Sequence, residues 1–285
     1  MVNKYFGTDG VRGPVNRFLT VTLAYRIGRF LGQKHSSGRA VRILIGRDTR
    51  ASGELLLNAL TTGILASGGI VYNVDVTTTP SISYLVPKHH FDYGIMISAS
   101  HNPYYDNGIK IFDHLGEKLD AEIEQAIEAY IESDRDNLPF AYDDEIGRYI
   151  YADYLLEDYI SFIGLMGSEI HGLKILADLA NGSASAIAPR LFEKLDLEID
   201  YIHNLPNGIN INERMKFFSV DPRNPNAVEP GKRVRHTSCP YIVTRNGVPW
   251  VIASAPQSRR PRGKAAFNLR QKSSKSTGPV SSRSK

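Results

Sequence analysis

The sequence has little of what disulfide-linked or membrane-spanning proteins need. A single cysteine, Cys239, excludes an internal disulfide framework and is typical of a reducing cytoplasm. No apolar run reaches the roughly 18 residues that a membrane-spanning helix needs. Gly, Asp, Arg and Pro interrupt residues 1–20, so no signal peptide is predicted. We therefore expect a cytoplasmic protein with no membrane partner.

Acidic residues are missing from the end of the chain. Residues 257–285 contain 9 Lys and Arg and no Asp or Glu, whereas residues 1–213 contain 18 basic and 28 acidic residues. The tail also has almost no large apolar residues, and we expect it to be disordered. A basic tail can bind nucleic acid through charge, but Phe267 is its only aromatic residue and it contains no nucleic-acid motif. We expect no nucleic-acid partner.

Residues 1–150 alternate between strand-like and helix-like stretches. This alternation favours an α/β domain with a mixed or parallel sheet, in which ligands bind at the carboxyl ends of the strands. The predicted strands are 41–45, 70–74 and 93–97, and the predicted helices are 20–33, 53–67, 120–134 and one that begins at residue 81.

A second, incomplete α/β domain is predicted over residues 151–213. It contains helices over 152–164 and 184–195 and strands over 173–178 and 197–202, which is a single βαβ unit. We expect its sheet to have an unpaired edge. The segment 214–256 changes to a basic composition, and its one hairpin-like stretch is centred on Asn246-Gly247. We do not expect this segment to supply the α/β elements that the second domain lacks.

The segment Ser98-Ala99-Ser100-His101-Asn102-Pro103 directly follows an apolar strand and is followed by Asn107-Gly108-Ile109-Lys110. Ser100 is a hydroxyl nucleophile, and His101 and Lys110 are side chains that can bind phosphate oxygens or move protons. An ordinary Ser/Asn/Pro turn would explain the first segment equally well.

Two further loops carry groups suited to phosphate. Phe6-Gly7-Thr8-Asp9-Gly10-Val11-Arg12-Gly13 places glycines around an arginine, and Gly46-Arg47-Asp48-Thr49-Arg50-Ala51-Ser52-Gly53 follows an apolar strand. Glycines let a backbone approach a ligand closely, and arginine binds phosphate in a bidentate manner. Each loop alone could be a solvated turn.

Together, these three loops resemble the α-D-phosphohexomutase superfamily, and within it the bacterial phosphoglucosamine mutase family. The resemblance runs from about Lys4 to about Asn212 and includes Asp178-Leu179-Ala180-Asn181-Gly182. It implies a first domain with a mixed sheet and helices on both faces. It also implies interconversion of glucosamine 6-phosphate and glucosamine 1-phosphate, a phosphosugar substrate class on the route to UDP-N-acetylglucosamine and peptidoglycan.

The resemblance assigns a role to each candidate residue. Ser100 would be the phosphoryl carrier and, as phosphoserine, one Mg²⁺ ligand. Arg12 and Arg50 would contact phosphate, while His101 and Lys110 would handle the proton on the attacking or leaving hydroxyl. These roles suit a reaction that needs mainly positioning and charge neutralisation.

The resemblance ends at Glu213, where the superfamily continues to an aspartate-rich metal loop. No Asp-Gly-Asp loop follows in this sequence. We therefore expect an incomplete Mg²⁺ site and a truncated chain that is inactive alone. Two alternatives stay open: phosphomannomutase or phosphoglucomutase specificity, and a non-catalytic remnant that binds phosphate. The sequence does not indicate an oligomeric state.

Residues 221–256 resemble a C-terminal stretch of γ-glutamyltranspeptidases. The similarity rests on Pro230-Gly231-Lys232-Arg233, on Ser238 to Val243 and on Asn246-Gly247-Val248-Pro249-Trp250. The catalytic threonine segment of that family has no counterpart here, so the resemblance implies no transpeptidase activity. It predicts a join between two unrelated segments near residue 213.

Overall fold

The computed structural model describes residues 4–8, 10–33, 38–167, 172–195 and 197–204, together with the backbone of 238–245 and 248–256. Asp9 of the first glycine loop and the tail predicted to be disordered lie outside the described residues. Two sheets organise the described chain, one built mainly from residues before 152 and one from residues after 172.

The first sheet is a mixed sheet, as predicted. Its order is β1-β2-β6-β5-β3-β4-β7. The centre is parallel, because β3 runs parallel to β4 and β5, whereas β6 runs antiparallel to both β5 and β2. The strands are β1 (Phe6–Gly7), β2 (Gly10–Pro14), β3 (Arg42–Arg47), β4 (Ile70–Val76), β5 (Tyr93–Ile97), β6 (Asp106–Phe112) and β7 (Arg148–Tyr151).

Helices cover both faces of this sheet, which gives it two hydrophobic cores. Successive side chains of a strand point to opposite faces. Ile43 and Ile45 accordingly enter one core, whereas Leu44 enters the other. The first core is covered by α1, α2 and α4 and the second by α3 and α5. The helices are α1 (Val21–Leu31), α2 (Ser52–Ala66), α3 (Thr79–Lys88), α4 (Ala121–Glu132), α5 (Leu156–Met166) and α6 (Ala188–Phe192).

The second core extends beyond residue 150, where the second domain is predicted to begin. Tyr151 pairs with Asn73 in the first sheet. Leu156 and Ile160 of α5 are buried in the same cluster as Leu85 of α3. The elements on either side of the predicted boundary therefore share one core. None of the described helices is long and apolar enough to cross a membrane.

The second sheet has the order β11-β10-β8-β9. The predicted strands are present as the parallel pair β8 (Leu173–Asp178) and β9 (Leu197–Ile202), and the predicted hairpin is present as β10 (Ser238–Arg245) and β11 (Val248–Pro256). The unpaired edge expected for this sheet is not found at β8, where a strand from the segment after residue 213 adds to the sheet. Strand β10 pairs antiparallel with β8, with Val243 opposite Ile175, and backbone pairing does not require a related sequence.

Candidate phosphoryl-transfer site

Ser100 lies in the loop of residues 98–105, which joins β5 to β6 and is called the Ser100 loop below. Its φ angle is +57°, in the left-handed region. This region costs an L-residue other than glycine about 1–2 kcal/mol. The surrounding structure must therefore hold Ser100 in place, and the hydrogen bonds of its backbone show how.

The backbone N–H of Ser100 is held by a buried chain of hydrogen bonds. It donates to the Ser98 hydroxyl oxygen at 3.0 Å, and this hydroxyl donates to Asp48 Oδ2 at 2.7 Å. Ser98 and Asp48 are both buried. A buried carboxylate needs hydrogen-bond donors, and Asp48 receives three, from Ser98 Oγ, Arg50 Nε and the backbone N–H of Arg50.

Arg50 lies beneath the Ser100 loop rather than on its surface, and it is only 3% exposed. Guanidinium has five N–H donors, and protein atoms accept from all of its nitrogens in this structure. The predicted contact between Arg50 and a phosphate stays a prediction. The acceptors are Asp48 Oδ2 (3.0 Å) and the carbonyl oxygens of Ser100 (2.9 Å), Asn102 (2.8 Å), Pro103 (2.6 Å) and Asp106 (3.0 Å).

His101 is exposed beside Ser100. Its Nδ1 lies 3.4 Å from Ser100 Oγ, at the long end of the hydrogen-bonding range. Catalytic hydrogen bonds are often long before a substrate is bound. The structure thus brings together the predicted nucleophile and one of the two predicted proton carriers.

Arg12 and Lys110 lie on one face of the sheet. Val11 pairs with Ile109, and both are buried in the first core. The pleat therefore directs the neighbouring residues Arg12 and Lys110 to the opposite face. Arg12 Nη1 lies 3.5 Å from Asn102 Oδ1, which connects this face to the Ser100 loop. Arg12 thus lies next to the Ser100 loop, and Lys110 lies on the same face of the sheet.

Two glycines let the three segments come close together. Gly10 has a φ angle of +87°, and a Cβ there would lie 2.3 Å from the Ile109 carbonyl oxygen. A Cβ at Gly108 would lie 2.7 Å from the Ser98 carbonyl oxygen. Glycine is therefore required where β2 and the Ser100 loop approach β6.

Asp48 and Ser98 are two site residues for which the sequence predicted no role. Both residues stand in the motifs that carried the resemblance, so the signal was present. A buried carboxylate two residues before Arg50 could have suggested an ion pair, and Ser98 lies two residues before Ser100. The hydrogen bond between Ser98 and Asp48 joins positions 50 residues apart, and the sequence pattern did not reveal it.

A metal site is not formed by the described residues. Nowhere among them do three or more His, Cys, Asp or Glu side chains come together in a way that could hold an ion. The Asp48 carboxylate already accepts hydrogen bonds from Ser98 and Arg50. The residues present therefore do not fit Mg²⁺ by themselves, because this ion needs several oxygen ligands in near-octahedral geometry.

Comparison with known families identifies the first domain. Residues 3–138 match the family described as phosphoglucomutase/phosphomannomutase, alpha/beta/alpha domain I. This stretch is a phosphohexomutase domain I. The observed mixed sheet with helices on both faces is the architecture that this assignment predicts, and the Ser100 loop lies within the matched residues.

Similar proteins extend the likeness beyond the phosphohexomutase domain I. The chain is 45% identical over 212 residues to a phosphoglucosamine mutase of Lachnoclostridium phytofermentans, which covers 74% of this chain and 47% of that protein. It is 48% identical over 219 residues to a phosphoglucosamine mutase of Caldicellulosiruptor bescii, with 74% and 48% covered. The chain thus spans about half the length of the curated relatives it matches.

Solved structures agree with this fold. A phosphoglucomutase/phosphomannomutase family protein of Burkholderia thailandensis superposes with a TM-score of 0.60 and 25% identity, covering 72% of this chain and 44% of that chain. Residues 202–257 match a different family, gamma-glutamyltranspeptidase. The predicted resemblance of residues 221–256 is therefore confirmed, and this match begins at residue 202, shortly before the predicted join near residue 213.

Proposed function

We propose that Ser100 of this chain accepts and returns a phosphoryl group in the manner of a phosphoglucosamine mutase, with phosphosugars as the substrate class. The observation that supports this most strongly is the local arrangement of Ser100. Its backbone is held in the left-handed region on a buried polar network, next to the exposed His101 and close to the Asn102–Arg12 contact. Glucosamine as the sugar follows the names of the most similar curated relatives.

The proposed step is one phosphoryl transfer. The Ser100 hydroxyl oxygen attacks a phosphorus atom of a hexosamine bisphosphate, so that the Oγ–P bond forms and the bond from phosphorus to the sugar oxygen breaks. The serine proton passes to a base, and the departing sugar oxygen takes up a proton. His101 and Lys110 are the candidates for these proton movements. Arg12 would offset the negative charge on the transferring group.

The proposal assigns no step to a metal ion. The aspartate ligands that the superfamily resemblance implies have no counterpart among the described residues. Because the chain spans about half of its relatives, the proposal is limited to transfer to and from Ser100. Interconversion of the two glucosamine monophosphates by this chain alone is a separate question, which a coupled assay answers.

The test is stoichiometric labelling. Radiolabelled glucosamine bisphosphate is mixed with the full chain, and we expect label to accumulate on Ser100 alone, as located by peptide mass spectrometry. Ser100→Ala should abolish labelling and leave the fold intact. The matched control is Ser161→Ala, since Ser161 is exposed on α5 and should not affect labelling. Equal labelling of Ser100→Ala and the parent would refute the proposal.

The same assay tests the sugar and the alternatives. Parallel reactions with glucose and mannose bisphosphates report specificity, and we expect the glucosamine compound to label fastest. Faster labelling by mannose or glucose bisphosphate would instead indicate phosphomannomutase or phosphoglucomutase specificity. Tight binding of the bisphosphate without any label transfer would indicate a non-catalytic phosphate-binding protein.

A further inference from the structure

Arg50 donates hydrogen bonds to backbone carbonyl oxygens of the Ser100 loop and of Asp106, the first residue of β6. Its two terminal nitrogens donate to four backbone carbonyl oxygens between Ser100 and Asp106, at 2.6–3.0 Å. The side chain is almost completely buried, so these bonds are shielded from water. A charged donor forms stronger hydrogen bonds than a neutral one. The path of the loop therefore depends on one arginine.

Asp48 completes the network from the other direction. It neutralises Arg50 through a 3.0 Å ion pair, and it accepts the hydroxyl proton of Ser98 at 2.7 Å. This bond orients Ser98 Oγ so that its lone pair accepts the N–H of Ser100 at 3.0 Å. Asp48 thus acts on Ser100 through Ser98, and on the rest of the loop through Arg50.

The two routes meet at Ser100 itself. The peptide group before Ser100 is fixed through its N–H by Ser98, and the peptide group after it is fixed through its C=O by Arg50. The backbone angles φ and ψ of a residue describe how these two planar groups are rotated about its Cα. Fixing both planes therefore sets the backbone of Ser100, and with it the direction from which Oγ leaves the Cα.

We propose that Arg50 and Asp48 are positioning residues that hold Ser100 in its left-handed conformation and so aim its hydroxyl at the incoming phosphorus. Arg50 acts from beneath the loop, where protein atoms accept hydrogen bonds from all of its nitrogens. This inference rests on the proposed function of Ser100 for its catalytic consequence. The conformational part stands on the hydrogen bonds alone and is measured separately.

The variants are Arg50→Lys, Asp48→Asn and Ser98→Ala, all made in the full chain. Lysine keeps the charge of Arg50 but has three N–H donors instead of five. Ser98→Ala removes the acceptor of the Ser100 N–H and one of the three donors to Asp48, but it leaves the Asp48–Arg50 ion pair in place. It is therefore informative even where Asp48→Asn fails to fold. The matched control is Arg29→Lys. Arg29 is 0% exposed and, like Arg50, binds one carboxylate and backbone carbonyls, but on the side of α1.

The first measurement is hydrogen exchange of the Ser100 amide, followed by mass spectrometry or NMR. We expect this amide to be protected in the parent chain. It should exchange about tenfold faster or more in the three variants, since each variant removes or weakens a hydrogen bond that holds the backbone of Ser100 in place. Arg29→Lys should leave this exchange unchanged. This measurement needs no activity, and it therefore separates failure of this inference from failure of the proposed function.

The second measurement is single-turnover labelling of Ser100 by radiolabelled glucosamine bisphosphate. A smaller fraction of folded molecules lowers the amplitude of labelling. A displaced Ser100 hydroxyl instead lowers the rate constant of labelling and leaves the amplitude unchanged. We expect Arg50→Lys to lower the rate constant about 10- to 100-fold, because a displacement of about 1 Å costs rates of this order. For Arg29→Lys we expect at most a lower amplitude.

Two results would overturn the inference. The first is unchanged exchange of the Ser100 amide in both Ser98→Ala and Arg50→Lys. The second is an equal fall of the labelling rate constant in Arg50→Lys and Arg29→Lys, which would show that any buried arginine affects labelling through stability. If the parent chain accepts no label at all, the proposed function fails, and the exchange data alone decide whether Arg50 and Asp48 hold Ser100.

Discussion

Thr49 donates a hydrogen bond from its side-chain oxygen to the backbone carbonyl oxygen of Asn181 at 2.7 Å. Thr49 follows β3 of the first sheet, and Asn181 lies in the turn after β8 of the second sheet. Thr49 is buried. One hydroxyl therefore connects the loop that contains Asp48 and Arg50 to the next unit of the chain.

Replacing Thr49 by valine should weaken this connection. Valine has the same shape but no hydroxyl, so the carbonyl oxygen of Asn181 loses this partly buried hydrogen bond, and we expect a loss of about 1–2 kcal/mol in the free energy of unfolding. Urea unfolding measures the change, and hydrogen exchange over residues 178–182 shows where it acts. Thr62→Val is the control, since Thr62 donates to the Asn58 carbonyl oxygen on the exposed face of helix α2. Equal losses in the two variants would contradict the prediction.

Ala180→Gly should stabilise the chain. Ala180 and Asn181 have φ angles of +52° and +47°, and the N–H of Gly182 donates to the carbonyl oxygen of Leu179 at 2.8 Å. This geometry is a type I′ turn, in which both central residues have positive φ angles that glycine adopts without strain. We expect a gain of up to about 1 kcal/mol, because relief of the left-handed strain exceeds the entropy that glycine adds to the unfolded chain.

Thermal unfolding measures the effect of Ala180→Gly. The matched control is Ala129→Gly on helix α4, where the same substitution should destabilise by about 0.5–1 kcal/mol. Destabilisation by both substitutions would show that the turn at Ala180 is not strained.

Glu128 attaches the N-terminal segment in a pH-dependent manner. Its carboxylate accepts the backbone N–H groups of residues 4–6 at 2.7–3.0 Å. Burial raises the pKa of Glu128, but these hydrogen bonds outweigh it and hold the pKa below its ordinary value of 4.5. Since the folded-state pKa is the lower one, the stabilisation is complete above about pH 4.5 and is lost as the pH falls through the folded-state value.

Glu128→Gln should therefore release residues 4–6 at every pH, at a cost of about 1 kcal/mol near neutral pH. Hydrogen exchange of these three amides, measured from neutral pH downwards, checks this. The parent should lose their protection only in acid, whereas the variant should lack it throughout. Glu122→Gln, on the exposed first turn of the same helix, is the control and should behave as the parent. Full protection in Glu128→Gln would contradict the prediction.

We expect no specific Mg²⁺ binding by the unphosphorylated chain at physiological concentrations. The described residues offer no group of three or more candidate ligands, and Mg²⁺ binds poorly to isolated carboxylates. Isothermal titration calorimetry measures this directly, with Ca²⁺ as a comparison ion. A one-to-one site of micromolar affinity for Mg²⁺ would show that residues outside the described part of the chain complete a metal site.

Much of the fold was predictable from local patterns. The strands at 93–97, 173–178 and 197–202 have the observed bounds, and helices α1, α2 and α4 differ from the predicted ranges by one or two residues at either end. Short apolar or alternating runs and helical apolar spacing carry this information locally. The predicted helix over 184–195 instead forms a 3₁₀ turn (Ser183–Ala186) followed by the short helix α6, with Pro189 in its first turn.

Other elements depended on partners far away in the sequence. Strand β7 is a parallel edge strand whose residues are mostly exposed. It forms because its backbone N–H and C=O groups pair with those along the edge of β4. Strand β6 contains Asp106, Asn107 and Gly108, which locally indicate a turn, yet it is extended because β5 and β2 pair with it on either side. Pairing between strands, rather than local preference, decided these elements.

The sequence by itself determined the chemistry: a serine after a strand, a histidine beside it, and cations on nearby loops, in a pattern that resembles one superfamily. The tertiary structure decided what each charge does. Arg12 and Arg50 look alike in the sequence, but Arg12 lies on the sheet face next to Asn102, whereas Arg50 is buried beneath Ser100. Burial depends on which segments pack together across the sheet, and no local pattern around an arginine encodes it.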